Sequence, residues 1–595
     1  MSTRMFKPNT MPSPSLYLIL LLSLFLLLPP PLPALQPLSL SPPPPPLSPS
    51  PSAACKFTLY PKLCRSILSA FRFSPSSPYD YGRFSVKQCL KLARKTSYLI
   101  GRYLNRNQRS TLSHIEAGAL DDCRQLSDLN VDYLVTITTE LNSAESLTGD
   151  LVDQVQTLLS AIVTNQQTCF DGLQASGSAM MGALYAPLSN ATQLYSVSLG
   201  LVTQALARRK HRGRKRKTSE VERFLSDVNR VWRAGYQSQS DRDLLLLGTK
   251  QPGRSLIGFQ SGGQNQTLAE RLGDRILVND TAIVAKDGSG NFSLIGDAIA
   301  FAPNNSKVED GYFVIYVKEG IYEEYVVVAK NKKNIMLLGD GINRTVVTGN
   351  RSVVDGWTTF NSATVAVSGE RFVAVDMSFR NTAGPEKHQA VAVRNNADVS
   401  TFYRCSFEGY QDTLYAHSLR QFYRECDVYG TVDFIFGNAA AVLQNCNLYA
   451  RKPMPNQKNA FTAQGRTDPN QNTGISIHNC TIGAAPDLAE DLNSTSNFLG
   501  RPWKEYSRTV YMQSYIDSLI DPVGWLEWNG TVGLSTLFYG EFENYGPGAI
   551  TSMRVQWPGY SLMNASQAWN FTVYNFTMGD TWLPYTDIPF NGGLL

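Results

Sequence analysis

"ADVSTFYRCSFEGYQDTLYAHSLRQFYRECDVYGTVDFIFGNAAAVLQNCNLYA", residues Ala397 to Ala450, is a chain of short β-type runs. Each run holds a few aromatic or β-branched residues and ends in Gly, Asn or Asp. The runs return roughly every 20 to 25 residues, a period that belongs to stacked repeats. The habit extends on both sides, from "YFVIYVKEG" at Tyr312 and "KNIMLLGDG" at Lys333 to "GISIHNCTIG" at Gly474. A β-sandwich of this size would show tight Asn-Gly hairpins between paired strands, and such signals are scarce. The pattern predicts an all-β, right-handed parallel β-helix over residues 280–595.

In such a coil, neighbouring rungs lie ~4.8 Å apart, so residues one rung apart share a face. Asp412 and Asp433 are 21 positions apart, and so are Cys405 and Cys426. The register therefore predicts two adjacent carboxylates and a disulfide between rungs, with Cys446 and Cys480 as a second pair. Two carboxylates this close cannot both ionise cheaply, so one keeps the charge and the other keeps a proton. "FLGRPWKEYSRTV" offers Arg501 as the cation that selects the charged one. The result is a nucleophile or base beside an acid, a set that serves ester or glycoside chemistry. Gln411, just before Asp412, and Gln389, from an earlier rung, add neutral N–H donors suited to an oxyanion. That favours the ester.

The rest of the 595 residues is organised around this unit. Arg4 and Lys7 precede a 13-residue apolar core, Leu16–Leu28, which fits a signal peptide or signal anchor over residues 1–35. Residues 36–52 form a Pro-rich linker. Nine cysteines and frequent N-x-S/T sites, among them Asn190, Asn265, Asn343, Asn479, Asn529, Asn564, Asn570 and Asn575, agree with secretion. From 53 to 207 the period becomes helical, as in "VDQVQTLLSAIVTNQQTCFDGL", and predicts an all-α four-helix bundle. "CKFTLYPKLC" suggests a hairpin closed between Cys55 and Cys64; Cys123 and Cys169 can tie two helices, which leaves Cys89 over. "RRKHRGRKRK", Arg208–Lys217, opens a basic linker over 208–248 that ends in "SDRDLLLLG". The formal net charge of +5 is mild and makes no case for nucleic acid, but it suits an acidic polymer.

Several of these stretches carry a family resemblance. "CKFTLYPKLC", "ALDDC" and "TCFDG" look like the plant invertase/pectin methylesterase inhibitor domain. "KDGSGNF", "NTAGPEKHQAVAV", "GYQDTLY", "GTVDFIFGNA", "TAQGRTDPNQNTG" and "LGRPWKEYSRTVYMQ" resemble, in order, the signatures of plant pectin methylesterases. The resemblance implies hydrolysis of methyl esters of homogalacturonan in the cell wall, with no metal or organic cofactor. It implies Asp433 as nucleophile, Asp412 as proton donor and then base, Gln389 and Gln411 as oxyanion stabilisers, and Arg501 as the group holding Asp433. Trp503 resembles a sugar-stacking platform, with Tyr415, Phe436 and Trp525 as further cleft candidates; Phe436 fits a core position equally well. It also implies an N-terminal domain able to block the cleft, and a proprotein protease as a candidate partner acting on the linker. "SDRDLLLLG" carries Asp243 where the family's processing site has a second basic residue.

Rival readings share the polymer. A pectate lyase or a polygalacturonase would use the same coil, and a lyase would need a cluster of calcium-binding carboxylates that the sequence does not display. A non-catalytic wall protein would bind pectin without cleaving esters. A Ser-His triad has no G-x-S-x-G elbow to support it, and "DGSGNF" lacks the Lys-Ser/Thr ending of a phosphate loop. No nucleic acid and no membrane contact are expected of the mature form.

Overall fold

A computed structural model describes residues 50–71, 78–105, 112–143, 149–177, 181–204 and 276–595. The expected signal segment 1–35, nearly all of the Pro-rich linker and the basic linker 208–248 lie outside the described residues. Among the described residues no helix is long and apolar enough to cross a membrane.

The N-terminal part is helical. Two short helices, α1 (Pro51–Cys55) and α2 (Pro61–Leu68), are joined by the Cys55–Cys64 disulfide, so the expected hairpin is a helix pair. Three long helices follow: α3 (Pro78–Tyr103), α4 (His114–Ser143) and α5 (Gly149–Ala175). A fourth, α6, spans 181–204. Local chemistry sets the starts. Proline stands in the first turn of α1 and α2, where its missing N–H costs nothing. Before α4, Ser113 and Glu116 exchange hydrogen bonds as a capping box. Cys123 of α4 is bonded to Cys169 of α5, and Cys89 is a buried free thiol.

Residues 276–595 form a right-handed parallel β-helix with three parallel sheets of eleven, eight and seven strands. Between the first two and the last two strands, which neighbour each other in the eleven-stranded sheet, consecutive strands belong to different sheets, and each pairs with its counterpart one rung on. Identical in-register positions therefore stack. Phe402 lies on Tyr423 with centroids 5.3 Å apart and planes 9° from parallel, and Val393, Leu414 and Ile435 form an aliphatic column beside them. All are inside the coil.

On seven successive rungs the corner after the strand of the eleven-stranded sheet is a single left-handed residue. Asp376, Arg404, Glu425, Asn445, Asn479, Gln513 and Glu543 have φ between 48° and 57°. A non-glycine residue there costs on the order of 1 kcal/mol. The ladder offsets it, because the corner N–H groups from Asp376 to Gln513 donate to the next rung, as from Arg404 to the Arg424 carbonyl at 3.0 Å and from Gln513 to the Phe542 carbonyl at 2.8 Å.

One residue past four of these corners sit Cys405, Cys426, Cys446 and Cys480, and all four are free thiols. This corrects the expected Cys405–Cys426 and Cys446–Cys480 disulfides. In-register side chains leave their rungs in parallel, so their Cβ atoms keep the ~4.8 Å rung spacing, whereas a disulfide needs about 3.8 Å. The column holds together as buried sulfur instead, with the Cys426 and Cys446 N–H groups pointing at the next sulfur at 3.5 and 3.4 Å.

The outer face of the eleven-stranded sheet is covered by the C-terminal segment, whose Phe571, Val573, Phe576, Trp582 and Leu583 pack on Phe422, Val442 and Val510. The outer face of the seven-stranded sheet is covered by the helical bundle, and a shared apolar cluster joins Leu120, Leu126, Leu173, Leu184 and Leu188 to Phe360, Val391, Tyr415 and Phe436.

Candidate active site

The predicted site residues gather on that seven-stranded face. Its strands run in the spatial order Asn497–Gly500, Asn459–Gln464, Ile435–Gly437, Leu414–Ala416, Val393–Asn395, Val365–Val367 and Val326–Val328. Asp412 and Asp433 each stand two residues before their strand, on adjacent rungs, and the Asp412 N–H donates to the Val432 carbonyl at 3.1 Å. Both are left-handed, with φ of 64° and 55°. Such backbone is unfavourable for a non-glycine residue and persists where the surroundings over-determine it. Here the rungs above and below do so.

Arg501 meets Asp433 in a bidentate pair, with Nε to Oδ1 at 2.7 Å and a terminal nitrogen to Oδ2 at 2.8 Å. Its position depends on Gly500. A Cβ there would lie 2.1 Å from the Thr462 hydroxyl, so only glycine lets this rung close up and the Arg501 N–H reach the Thr462 carbonyl at 2.9 Å. Burial raises Asp433 from the usual carboxylate range, while the hydrogen bonds and charge of Arg501 pull it back. Asp412 is pushed well above that range by burial and by the neighbouring Asp433 charge, with Arg501 opposing more weakly. Asp433 is thus the better anion and Asp412 the better acid. Among the described residues no side chain hydrogen-bonds the Asp412 carboxyl, so its proton is uncommitted. Gln389 and Gln411 are half-buried on neighbouring rungs, linked through the Ala390 N–H and the Gln411 carbonyl at 3.2 Å. Their side-chain amides likewise bond to no group among the described residues.

Beside the carboxylates, side chains that point out of the strands make a column: Arg394, Tyr415, Phe436 and Ala463. Tyr415 and Phe436 are stacked with centroids 4.1 Å apart, and Trp503 adds its edge 6.0 Å from Phe436. Trp503 lies against Gly465, where a Cβ would come within 2.7 Å of the indole ring. Phe436 belongs to this outer column, not to the interior.

Trp525 is elsewhere. It is 1% exposed, inside the coil, stacked on Tyr539 at 4.1 Å with its N–H directed to Glu541. The bridge to Gly500 turns it inward. Trp528, three residues on and 38% exposed, faces the site instead, with the Arg501 guanidinium 4.4 Å from its ring. "WLEW" contains both tryptophans, and only the rung pairing decides which one turns outward.

The bundle closes over the aromatic column. Asp171 of α5 pairs with Lys504 at 2.8 Å, Thr168 bonds the His417 ring at 3.0 Å, and Thr164 accepts from Asn438 at 2.8 Å. Between these groups, Tyr415 and Trp503, a cavity of about 10 Å³ remains. A single water would about fill it; a sugar cannot enter.

Residues 281–580 match the family model described as Pectinesterase, and residues 49–201 match the one described as Plant invertase/pectin methylesterase inhibitor. The chain is 60% identical over 547 residues to probable pectinesterase/pectinesterase inhibitor 25 of Arabidopsis thaliana, covering 91% of this chain and 87% of that one. Pectinesterase/pectinesterase inhibitor PPE8B of Prunus persica is 46% identical over 479 residues, covering 80% and 82%. Among solved structures, pectin methylesterase from carrot superposes with a TM-score of 0.52 at 54% identity, covering 53% of this chain and 98% of the carrot chain.

Proposed function

The chain belongs to the pectinesterase family and carries an inhibitor-type bundle ahead of its catalytic coil; from that premise we propose how its residues perform and restrain ester hydrolysis. The reaction is demethylation of pectin, giving free carboxylates on homogalacturonan and methanol.

The Asp433 carboxylate attacks the C6 carbonyl of a methyl-esterified galacturonate, forming a C–O bond and moving the carbonyl π pair onto oxygen. The Gln389 and Gln411 amides donate to that oxyanion. As the intermediate collapses, the methoxy group leaves with the Asp412 proton as methanol, and an acyl-enzyme on Asp433 remains. Asp412, now an anion, takes a proton from water. The hydroxide adds to the acyl carbon, Asp433 departs as carboxylate, and the proton stays on Asp412 for the next turnover. Arg501 keeps Asp433 anionic before attack and is a good partner for it as a leaving group. Tyr415, Phe436 and Trp503 give the sugar faces a surface to stack on.

The observation that carries this reading is the bidentate Arg501–Asp433 pair one rung from an uncommitted acid. The Asp433→Ala enzyme, assayed for methanol on methyl-esterified homogalacturonan after release of the bundle, loses activity by about 10³-fold or more. Methanol release at the parental rate would remove Asp433 from the nucleophile's role.

The bundle is an internal inhibitor in this reading, because α5 occupies the space above the aromatic column. Activity then depends on cutting the linker outside the described residues, by a protease met along a secretory route to the cell wall.

A further inference from the structure

The stretch "TAQGRTDPNQNTG", Thr462–Gly474, carries chemistry that ester hydrolysis leaves unused. It leaves the seven-stranded sheet at Gln464 and enters the eleven-stranded sheet at Gly474, so it turns the corner away from the face that holds the carboxylates. Two arginines meet at this corner. The backbone N–H groups of Arg466 and of Arg508, which opens the strand Arg508–Met512, both donate to the Gln464 side-chain oxygen, at 3.0 and 2.8 Å. Their side chains then run along the same loop. Arg466 Nε donates to the Gln471 carbonyl at 3.0 Å and a terminal nitrogen donates to the Pro469 carbonyl. Arg508 Nε donates to the Thr473 carbonyl at 2.6 Å.

These bonds fix the two guanidiniums without neutralising them. Among the described residues neither makes an ion pair, and the terminal nitrogens of Arg508 bond no group. Asp468, the acid of this loop, already accepts from the Ser196 hydroxyl and from the backbone and side-chain amides of Asn470. Arg466 is 8% exposed, and half-buried Arg508 lies 5.6 and 5.5 Å from the ring centroids of Phe571 and Phe576. A guanidinium drawn out of water with no counter-ion is costly, and aromatic faces offset only part of that. Both arginines line one cavity of about 280 Å³, walled also by Asp153 of α5, Thr203 of α6 and Thr577 of the C-terminal segment. Arg420 lines it too, but its charge is matched by a bidentate pair with Asp398 at 3.0 and 2.6 Å. The space is far larger than a single water fills.

We propose that Arg466 and Arg508 form an oxyanion-binding site at the seam between bundle and coil. Planar guanidiniums with unused N–H donors grip two oxygens of one carboxylate, sulfate or phosphate group. Asp153 is the acid on the cavity wall and works against the ligand's charge. Because α5 and α6 supply part of the wall, the cavity is complete only while the bundle is docked. A ligand that prefers the complete cavity therefore strengthens docking. The site lies outside the esterase machinery and stands whether or not the coil cleaves esters.

The test is titration calorimetry of the full chain with sodium sulfate and, separately, with monomeric galacturonate, each against chloride at equal ionic strength. The parental chain binds at least one of them saturably. Arg508→Gln weakens that binding about tenfold or more, and Asp153→Asn tightens it about threefold. Binding of both ligands identifies a general oxyanion site, and binding of galacturonate alone a sugar-acid site; either supports the assignment. Saturable binding of neither, or affinity unchanged by Arg508→Gln, overturns it. Should Arg508→Gln fail to fold, Asp153→Asn decides alone, and a variant that does not bind more tightly overturns the site. A second measurement reads the seam. With a protease recognition sequence inserted within 205–275 and cut, the anion at ten times its Kd tightens the bundle's hold on the coil about tenfold relative to chloride. Equal affinities in the two salts would overturn the coupling to docking.

Discussion

The helical bundle and the β-helix use cysteine in opposite ways. Four of the bundle's five thiols are locked in Cys55–Cys64 and Cys123–Cys169, while the four in the coil stand reduced in one column. The bundle has few long helices and a modest core, and a cross-link that restricts the unfolded chain is worth ~2–5 kcal/mol to such a unit. The coil gains its stability by repetition, each rung burying the last, and its spacing holds sulfurs in contact without letting them bond. The same contrast applies to charge. The coil can keep two carboxylates and a guanidinium buried because neighbouring rungs dictate their positions. The bundle brings Asp171 to a cation that the coil already displays, Lys504, and buries Asp122 against the Thr358 hydroxyl and the Asn361 amide.

The largest effect that would break this comparison is expected at the buried pair. Arg501→Gln leaves Asp433 without its counter-ion beside Asp412, and methanol release by the bundle-free enzyme should fall by about 10³-fold. Arg501 lowers the Asp433 pKa, so its loss moves the acid limb of the pH profile to higher pH. A profile that keeps its acid limb would mean the coil's scaffold alone sets the charge on Asp433.

Next in size is the bundle's staple. Replacing Cys123 and Cys169 by serine should cost ~2–5 kcal/mol and bring down the bundle's transition in calorimetry while the coil's transition stays put. A shared loss would show that the two units melt as one body.

Smaller, and specific to the seam, is a pH effect. Burial pushes Asp122 up to about 7, against hydrogen bonds from Thr358 and Asn361 and the charge of Arg394, with Asp121 adding to the rise. A docked carboxyl with a raised pKa binds its proton more tightly than the undocked one. Docking is therefore favoured in acid, weakens as pH rises from about 4 through about 7, and levels off above that. Binding of the released bundle to the coil, followed across this range, should weaken about tenfold or more, and Asp122→Ala should flatten the curve.

The smallest change is expected inside the column of thiols. Cys426→Ala removes a sulfur from a packed stack and should cost ~1 kcal/mol, with no dependence on reductant. Stability that drops on adding dithiothreitol to the parental coil would point to a disulfide between rungs.

Much of this was readable in the residues. The 21-residue interval between Asp412 and Asp433 is a direct statement of rung length, and the stacking of strands turns it into proximity. Helical spacing and paired cysteines announced the bundle in the same way. The errors came where a periodic pattern gives position along the chain but not direction or separation of side chains. Cys405 and Cys426 are neighbours, as their interval requires, yet parallel Cβ vectors keep them unbonded. Trp525 and Trp528 differ only in which way a bridge to Gly500 turns them. The meeting of Asp122 with Thr358 joins residues 236 positions apart in two units of different period, and no local pattern contains it.

The most direct test is one assay on one preparation: methanol released from methyl-esterified homogalacturonan by the full chain, before and after the linker within 205–275 is cut and the bundle removed. An active site completed by the coil and filled by α5 predicts a rise of about 100-fold or more, with no new reducing ends and no ultraviolet-absorbing products. Equal rates before and after would contradict occlusion by the bundle, and an absence of methanol from the freed coil would contradict the esterase itself.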